Sequence, residues 1–282
     1  MNRVIINADD FGIHTEVNQG IIEGFQHGVL TSTSLLASGP AFEEAVALAK
    51  ACPKLGIGIH LCLVGSLPTV LSPREVPTLV NADGLVPESY AEFMKKAWTG
   101  KIDYGQVYDE LDAQIEKIMA TGLAITHIDS HQHLHMLPQI WRIVQVLMKK
   151  YRLHRLRVPR EAYTFKVMTA SPVRLLGRDG LTYLAKKVIP DVKRLHFTAT
   201  DYFWGMIDGG HMTTANLAYI LRNLPFGVHE IMMHPGRSTA VLARQFSWGY
   251  HWEEELQALV SPEIRQLAEK KQIEFINYGQ LP

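Results

Sequence analysis

Val4-Ile5-Ile6-Asn7-Ala8-Asp9-Asp10-Phe11-Gly12 begins as a short apolar run and ends on two adjacent acids. Its first part, Val4–Asn7, reads as a buried strand. Outward from it the chain alternates in kind. Glu16–His27 has helical spacing, Thr31–Ala37 reads as a second strand, Ala41–Cys52 as an alanine-rich helix and Leu55–Leu61 as a third strand. Tyr104–Thr121 is a periodic helix closed by Gly122, Leu123–Asp129 is a fourth strand, and Pro138–Tyr151 is a helix with proline in its first turn, where the missing N–H is tolerated. Further strands are expected at Leu156–Val158, Leu195–Thr200, Glu230–His234 and Ile273–Asn277. Such alternation implies parallel strands joined by crossover helices. Eight strands in 282 residues predict an α/β fold, a distorted (β/α) TIM-like barrel forming a single domain over residues 1–282.

Two stretches depart from the alternation. Cys62–Asp103 carries Pro68, Pro73, Pro77 and Pro87 and reads as a loop insertion with one short helix near Ser89–Trp98. Glu161–Arg194 is a second insertion, in which Gly180 and Pro190 are expected to interrupt any long helix. Long insertions on an α/β scaffold usually serve function, and both are expected to overhang the strand-to-helix face of the barrel.

Lys+Arg and Asp+Glu are both 28, so the formal charge is zero and no nucleic acid or anionic membrane is implied as an obligate partner. Homo-oligomers remain open. Cys52 and Cys62 make neither a disulfide framework nor a cysteine-type zinc site. With no signal-peptide pattern after Met1 and no uninterrupted run of about 18 apolar residues, a cytoplasmic protein without stable membrane insertion is expected.

The 13 histidines carry the chemistry through their placement. Asp9 and Asp10 follow an apolar strand directly and so sit at the carboxyl end of the sheet, where α/β proteins place their sites. The plainer reading is a helix N-cap, which needs one acid rather than two. His60 ends the third strand on the same rim. In His127-Ile128-Asp129-Ser130-His131-Gln132-His133-Leu134-His135, strand alternation would put His127, Asp129, His131, His133 and His135 on one side. Burying so many imidazole and carboxylate groups is costly without a partner; a divalent metal is an economical one. Some of these residues would bind it and the others would orient the ligands. His234, in Glu230-Ile231-Met232-Met233-His234-Pro235-Gly236, again ends an apolar strand. Arg157 and Arg160 bracket Val158-Pro159 and are candidates to hold substrate oxygens. Trp204, with Tyr202 and Phe203, offers an apolar substrate wall or core packing. Asp208-Gly209-Gly210-His211 is a turn, and His211 reads as a surface residue of it.

Asn-Ala-Asp-Asp-Phe-Gly at 7–12, Gly-Val-Leu-Thr-Ser-Thr-Ser at 28–34, Gly-Ile-His-Leu at 58–61, His-Ile-Asp-Ser-His-Gln-His-Leu-His at 127–135 and His-Pro-Gly at 234–236 together resemble the YdjC-like carbohydrate deacetylases. The resemblance runs from residue 4 to about 236, and its first and fourth motifs are the specific ones. It implies a distorted (β/α) barrel and one divalent metal, Mg2+ or Zn2+ with Ni2+ or Co2+ as alternatives, held by Asp10, His60 and His131. It also implies Asp9 as general base. His127, Asp129, His133 and His135 are then supporting residues or alternative ligands, and His234 is placed to stabilise the intermediate or protonate the leaving amine. Phe203–Thr213 is most similar to the hopanoid-associated subgroup of that family. Gln132 departs from the chitooligosaccharide enzyme, which tends to have a third consecutive histidine there.

The expected reaction is metal-dependent removal of an N-acetyl group from an N-acetylated sugar or a glycolipid-like substrate, with release of acetate. A metallo-phosphoesterase is the rival enzyme class, with a second metal about 3.5–4 Å from the first and spare ligands in Asp129, His133 and His135. A non-catalytic metal- or carbohydrate-binding protein makes no use of Asp9. The segment Val173–Val192 mixes Leu175, Leu176, Leu181, Leu184, Val188 and Ile189 with Arg174, Arg178, Lys186 and Lys187. That pattern suits either a membrane-surface face or a helix coating the barrel.

Overall fold

The strand β1, Arg3–Phe11, is the hub of the sheet in the computed structural model, which describes residues 1–161 and 172–281. Parallel neighbours flank it: β2 (Ser32–Leu35) on one edge, β6 (Val228–Met233) on the other, and β7 (Glu274–Phe275) beside Arg3 and Val4. With β3 (Gly56–Leu61), β4 (Ile125–Ser130) and β5 (Tyr202–Trp204) the order is β4-β3-β2-β1-β6-β5. Because every pairing is parallel, the strands deliver their carboxyl ends to one rim.

Alternation along β1 separates two environments. Val4, Ile6 and Ala8 join the main core beneath the helices, whereas Ile5 packs with Ile276, Tyr278 and Leu281. Asn7 and Asp9 continue the Ile5 side, where they meet polar groups rather than hydrocarbon. The concave side of the sheet is therefore charged and hydrogen-bonded, and the apolar core lies between the sheet and its helices.

Those helices are α1 (Thr15–His27), α2 (Phe42–Ala51), α3 (Tyr90–Trp98), α4 (Tyr104–Met119), α5 (Pro138–Lys150), α6 (Pro172–Arg194), α7 (Thr214–Arg222), α8 (Thr239–Gln245), α9 (Trp252–Val260) and α10 (Pro262–Lys270). In α5, Ile140, Trp141, Val144, Leu147 and Met148 are buried at helical spacing, and Pro138 occupies the first turn. The Trp141 indole donates to Asp191 of α6 (3.0 Å). The first insertion is tied down by buried polar groups of α4. Glu110 accepts the N–H groups of Val70 and Leu71, and Gln114 bonds both the N–H and the carbonyl of Cys62.

Three expectations are corrected. Leu156–Val158 and Leu195–Thr200 form isolated bridges rather than strands: Leu156 to Ile128, Arg155 to Thr198 and Glu161 to Phe203. Pro159 removes a donor that a ladder needs, and His196 adopts left-handed backbone, with φ of 56°. The sheet is thus a curled half-barrel rather than a regular eight-stranded barrel. Second, β5 at Tyr202–Trp204 lies in a stretch read only as an aromatic wall. Third, α6 runs unbroken through Gly180 and Pro190. An internal proline costs about 3 kcal/mol and a glycine about 1 kcal/mol, but Ala185, Val188 and Val192 bury a continuous stripe in the main core, with Thr182 and Arg178 buried one and two turns earlier. This stripe fits a helix coating the sheet. The insertion read at Glu161–Arg194 lies partly, at 162–171, outside the described residues. No described helix is long and apolar enough to cross a membrane. Cys52 and Cys62 are free, buried thiols.

Candidate metal centre and active site

Strict alternation would aim Asp9 and Asp10 at opposite faces of β1. A bulge prevents this. The β1–β2 register passes from Ala8↔Thr33 to Phe11↔Leu35, three residues against two, and Asp10 takes φ of 68°. The extra residue in left-handed conformation turns the Asp10 carboxylate to the same side as Asp9. A second backbone device acts after β4, which ends at Ser130. Gln132 and His133 have φ of 50° and 57° within the tight turn His131–Met136. Strained non-glycine backbone of this kind persists only where surrounding structure determines it. Gln132 is held because its side chain accepts the Tyr90 N–H at 2.7 Å, linking this turn to α3.

These devices bring Asp10, His60 and His131 together as a buried group whose ligand atoms lie within 4.8 Å of one another. Asp10 Oδ1 is 3.4 Å from His60 Nε2 and 2.9 Å from His131 Nδ1. His60 Nδ1 donates to Asp129 Oδ1 at 2.7 Å, which leaves Nε2 facing Asp10 as the atom available to a ligand. Among the described residues, His60 Nε2 and His131 Nε2 have no hydrogen-bond partner. Burial would push the His60 imidazole down, but Asp129, Asp9 and Asp10 outweigh it and raise it to about 10. Burial works against Asp10 as well, and His131 and His60 hold its carboxyl well below the usual range. Asp9, Asp10 and Asp129 thus gather around His60, and the Arg157 guanidinium is bonded to Asp9 and close to Asp129 but not to Asp10, so the centre draws further positive charge. A divalent cation meets that demand, and one carboxylate with two imidazoles is a donor set suited to it.

Asp9 is fixed from behind. Both terminal nitrogens of Arg157 donate to its two oxygens, at 2.6 and 2.7 Å, and Asn7 Nδ2 donates to Oδ1 at 2.9 Å. Arg157 also donates through Nε to Glu230 (2.7 Å) and lies 3.1 Å from Asp129. Tyr278 donates its hydroxyl to Glu230. Burial pushes the Glu230 carboxyl up to about 7 against the pull of Arg157 and Tyr278. Ser34 donates to Asp129 at 2.7 Å and receives Asn7.

The remaining expected residues fall in several places. His127 stacks on Tyr278 and points away from the Asp10 group; a Cβ on Gly58 would come within 2.3 Å of its ring, so glycine makes room for it. Burial and the nearby Arg157 push it down to about 3. His135 is committed to Ser130 and the Arg157 carbonyl. His133 stands edge-on to Phe203. His133, His131, Asp9 and His234 all line one cavity of about 890 Å³. His234 packs on Tyr250, and its N–H donates to Glu255, a buried acid of α9. The three residues read as candidate substrate contacts lie away from the Asp10 group. Arg157 is fully buried and held by carboxylates beneath Asp9, Arg160 faces a separate pocket and donates to the Asp201 carbonyl, and the Trp204 indole donates to His229 in the core. Glu230, Tyr278, Asn7 and Ser34 were not singled out from sequence. An acid opening the apolar run Glu230-Ile231-Met232-Met233 was the available signal.

Both insertions contribute walls to the cavity, through Tyr90 and Trp98 of the first and through Leu176–Leu184 of α6. Glu161 supports another wall, accepting the Gly205 N–H at 2.8 Å. Burial pushes its carboxyl up to about 7, against the Gly205 amide and Arg178. Between the ordinary 4.5 and 7 the folded chain therefore keeps a proton that the unfolded chain releases, so stability falls as pH rises through that window, by on the order of 3 kcal/mol. Urea denaturation at pH 5 and pH 7.5 is expected to show a flatter dependence for Glu161→Gln than for wild type. Identical pH slopes would remove this linkage.

The comparisons agree with this geometry. The family model described as YdjC-like protein matches residues 3–270. A carbohydrate deacetylase of Geobacillus stearothermophilus is 34% identical over 97% of this chain and 96% of its own. Another, from Clostridium beijerinckii, is 31% identical over 98% of each. The crystal structure of a candidate cellobiose-phosphate cleavage protein from Enterococcus faecalis superposes with a TM-score of 0.78 at 29% identity, covering 99% of this chain and 98% of that one. With one family model spanning nearly the whole chain and relatives above 30% identity along its full length, this protein belongs to the YdjC-like family.

Proposed function

We propose that this chain is a metal-dependent amide hydrolase that removes the N-acetyl group from an N-acetylated sugar or glycoconjugate. The observation that carries this reading is the buried Asp10–His60–His131 group, short of positive charge and beside an independently fixed Asp9 at the edge of a large cavity. The relatives named carbohydrate deacetylase support the acyl group and the sugar. Asp10, His60 and His131 would hold the cation, Mg2+ or Zn2+ with Ni2+ or Co2+ as alternatives, and Asp129 would keep His60 in the tautomer that ligation requires. When bound, the cation supplies Lewis acidity for the amide carbonyl and the attacking water. Asp9 takes the proton of that water as its oxygen bonds to the carbonyl carbon. His234 gives a proton to the sugar nitrogen as the C–N bond breaks, leaving acetate and a free amine. Arg157, Asn7 and Glu230 position Asp9 and touch no substrate.

The phosphoesterase reading asks for a second metal held by Asp129, His133 and His135. Asp129 is bonded to His60, Ser34 and Arg157, and His135 to Ser130 and the Arg157 carbonyl, so neither is free to join His133 around a second ion.

The cavity supports a finer reading, a glycolipid-like substrate. Its walls include Leu181, Leu184, Met206 and Met232, and three exposed hydrophobic side chains, Trp98, Leu176 and Tyr183, stand at it. Apolar surface this exposed suits an apolar substituent on the sugar. Metal-loaded protein would be given an acetylglucosaminyl lipid and diacetylchitobiose at matched concentration, and acetate release compared. The lipid is expected to be the better substrate. Preference for the disaccharide without vesicle binding would overturn the lipid reading alone, and no acetate from any N-acetylated sugar would overturn the deacetylase reading.

A further inference from the structure

We propose that His211, His251 and Glu254 form a second, surface site for a divalent transition metal, which staples the β5–α7 loop to the start of α9. The three side chains come from two separate segments, yet their ligand atoms lie within 4.8 Å of one another. Glu254 stands between the imidazoles. Its Oε2 is 3.1 Å from His211 Nε2 and its Oε1 is 3.1 Å from His251 Nδ1. The two rings stack with centroids 4.2 Å apart. Two protonated imidazoles stacked so closely repel each other, whereas two neutral ones can share a single cation with the carboxylate. Each side chain is about half exposed, at 50%, 46% and 53%, so solvent can complete the coordination.

The backbone beneath is built rather than loose. The His251 N–H donates to the Gly210 carbonyl at 2.7 Å, the His211 N–H to the Asp208 carbonyl at 2.8 Å, and Asn216 Nδ2 to the His211 carbonyl at 2.8 Å. Gly210 has φ of 78°, and a Cβ there would come within 2.2 Å of the Tyr250 ring, so only glycine lets the two segments approach this closely. Tetrahedral zinc needs donor atoms about 2.0–2.2 Å from the ion, so the stacked rings would have to turn toward it, which their half-exposed side chains leave room to do. Imidazole ligands suit zinc, nickel, cobalt and copper.

The position gives such a site a consequence. The β5–α7 loop supplies Gly205, Met206 and Gly209 to the cavity wall, and Tyr250 stands immediately before His251. Glu255, next to Glu254, receives the N–H groups of Met212 and His234. A metal here would fasten the wall opposite α6 and the helix end that holds His234, without touching the Asp10 group.

The test counts zinc. Wild type and the His211→Ala/His251→Ala variant would be stripped, dialysed against zinc chloride and analysed for metal per chain, with thermal melts before and after loading. The substituted residues are exposed, so the stripped proteins are expected to melt alike. Expected are two zinc ions per wild-type chain and one per variant chain, with a zinc-induced rise in Tm that is smaller in the variant. Glu254→Gln should weaken the second zinc at least about tenfold. Equal zinc content in wild type and variant, whether one ion or two, overturns the proposal. One ion in wild type and none in the variant would uphold it and remove the metal from the Asp10 centre instead.

Discussion

Asp9→Asn is expected to lower kcat for acetate release about 10³-fold while leaving the metal content unchanged. The two neighbouring acids are separated by what holds them. Asp10 faces His60 and His131, whereas both Asp9 oxygens are taken up by Arg157 and Asn7. Asparagine still accepts one Arg157 N–H, so geometry survives and only proton uptake is lost. Asp10→Ala, His60→Ala and His131→Ala should each lose metal and activity together. Metal analysis and kinetics on the same preparations check this. A metal-free Asp9→Asn beside a fully loaded Asp10→Asn would exchange the two roles, and a loaded His131→Ala would move the ligand elsewhere in 127–135.

The second large effect is expected at Arg157. Its side chain is fully buried and bonded to Asp9 and Glu230, with Asp129 at 3.1 Å. Arg157→Met leaves these acids without their shared cation, and removing one partner of a buried ion pair costs about 3–5 kcal/mol. Urea denaturation should show that loss directly. Should the variant fail to fold, Arg157→Lys gives the answer. It keeps a charge but has no planar fork to span both Asp9 oxygens, so it should fold with lower stability and lose kcat more than it raises KM. An Arg157→Met chain as stable as wild type would show that the carboxylates are neutralised some other way.

A common architecture underlies both results. The half-barrel keeps its hydrocarbon outside, between sheet and helices, and fills its concave side with a chain of charge running from Tyr278 through Glu230 and Arg157 to Asp9. Such a network rigidifies when fully satisfied and is costly when broken. The C-terminal segment thereby reaches the Asp9 edge of the sheet although β7 pairs only with the first residues of β1.

Strand–helix alternation is a local signal, and the chain order alone was enough to read a parallel α/β sheet with Asp9, Asp10, His60 and His234 at one rim. Hydrophobic periodicity located α1, α2, α4 and α5 to within a few residues, because a buried stripe must recur every three or four positions in any helix that coats a sheet. Period-two reasoning was not enough for 127–135. It grouped five side chains, whereas the strand ends at Ser130: His131 reaches Asp10, and the left-handed Gln132 and His133 then part His133, edge-on to Phe203, from His135, on the Arg157 carbonyl. The same limit applies to Asp10, whose direction depends on a bulge that exists only because β1 and β2 pair. Arg157 shows it most fully. A cation near a strand end looks from sequence like a hand for substrate, and only three-dimensional closure places Asp9, Asp129 and Glu230, separated by up to 221 positions, around one guanidinium. Local periodicity is written into neighbouring residues, whereas burial and charge pairing belong to segments that meet only when the chain is folded.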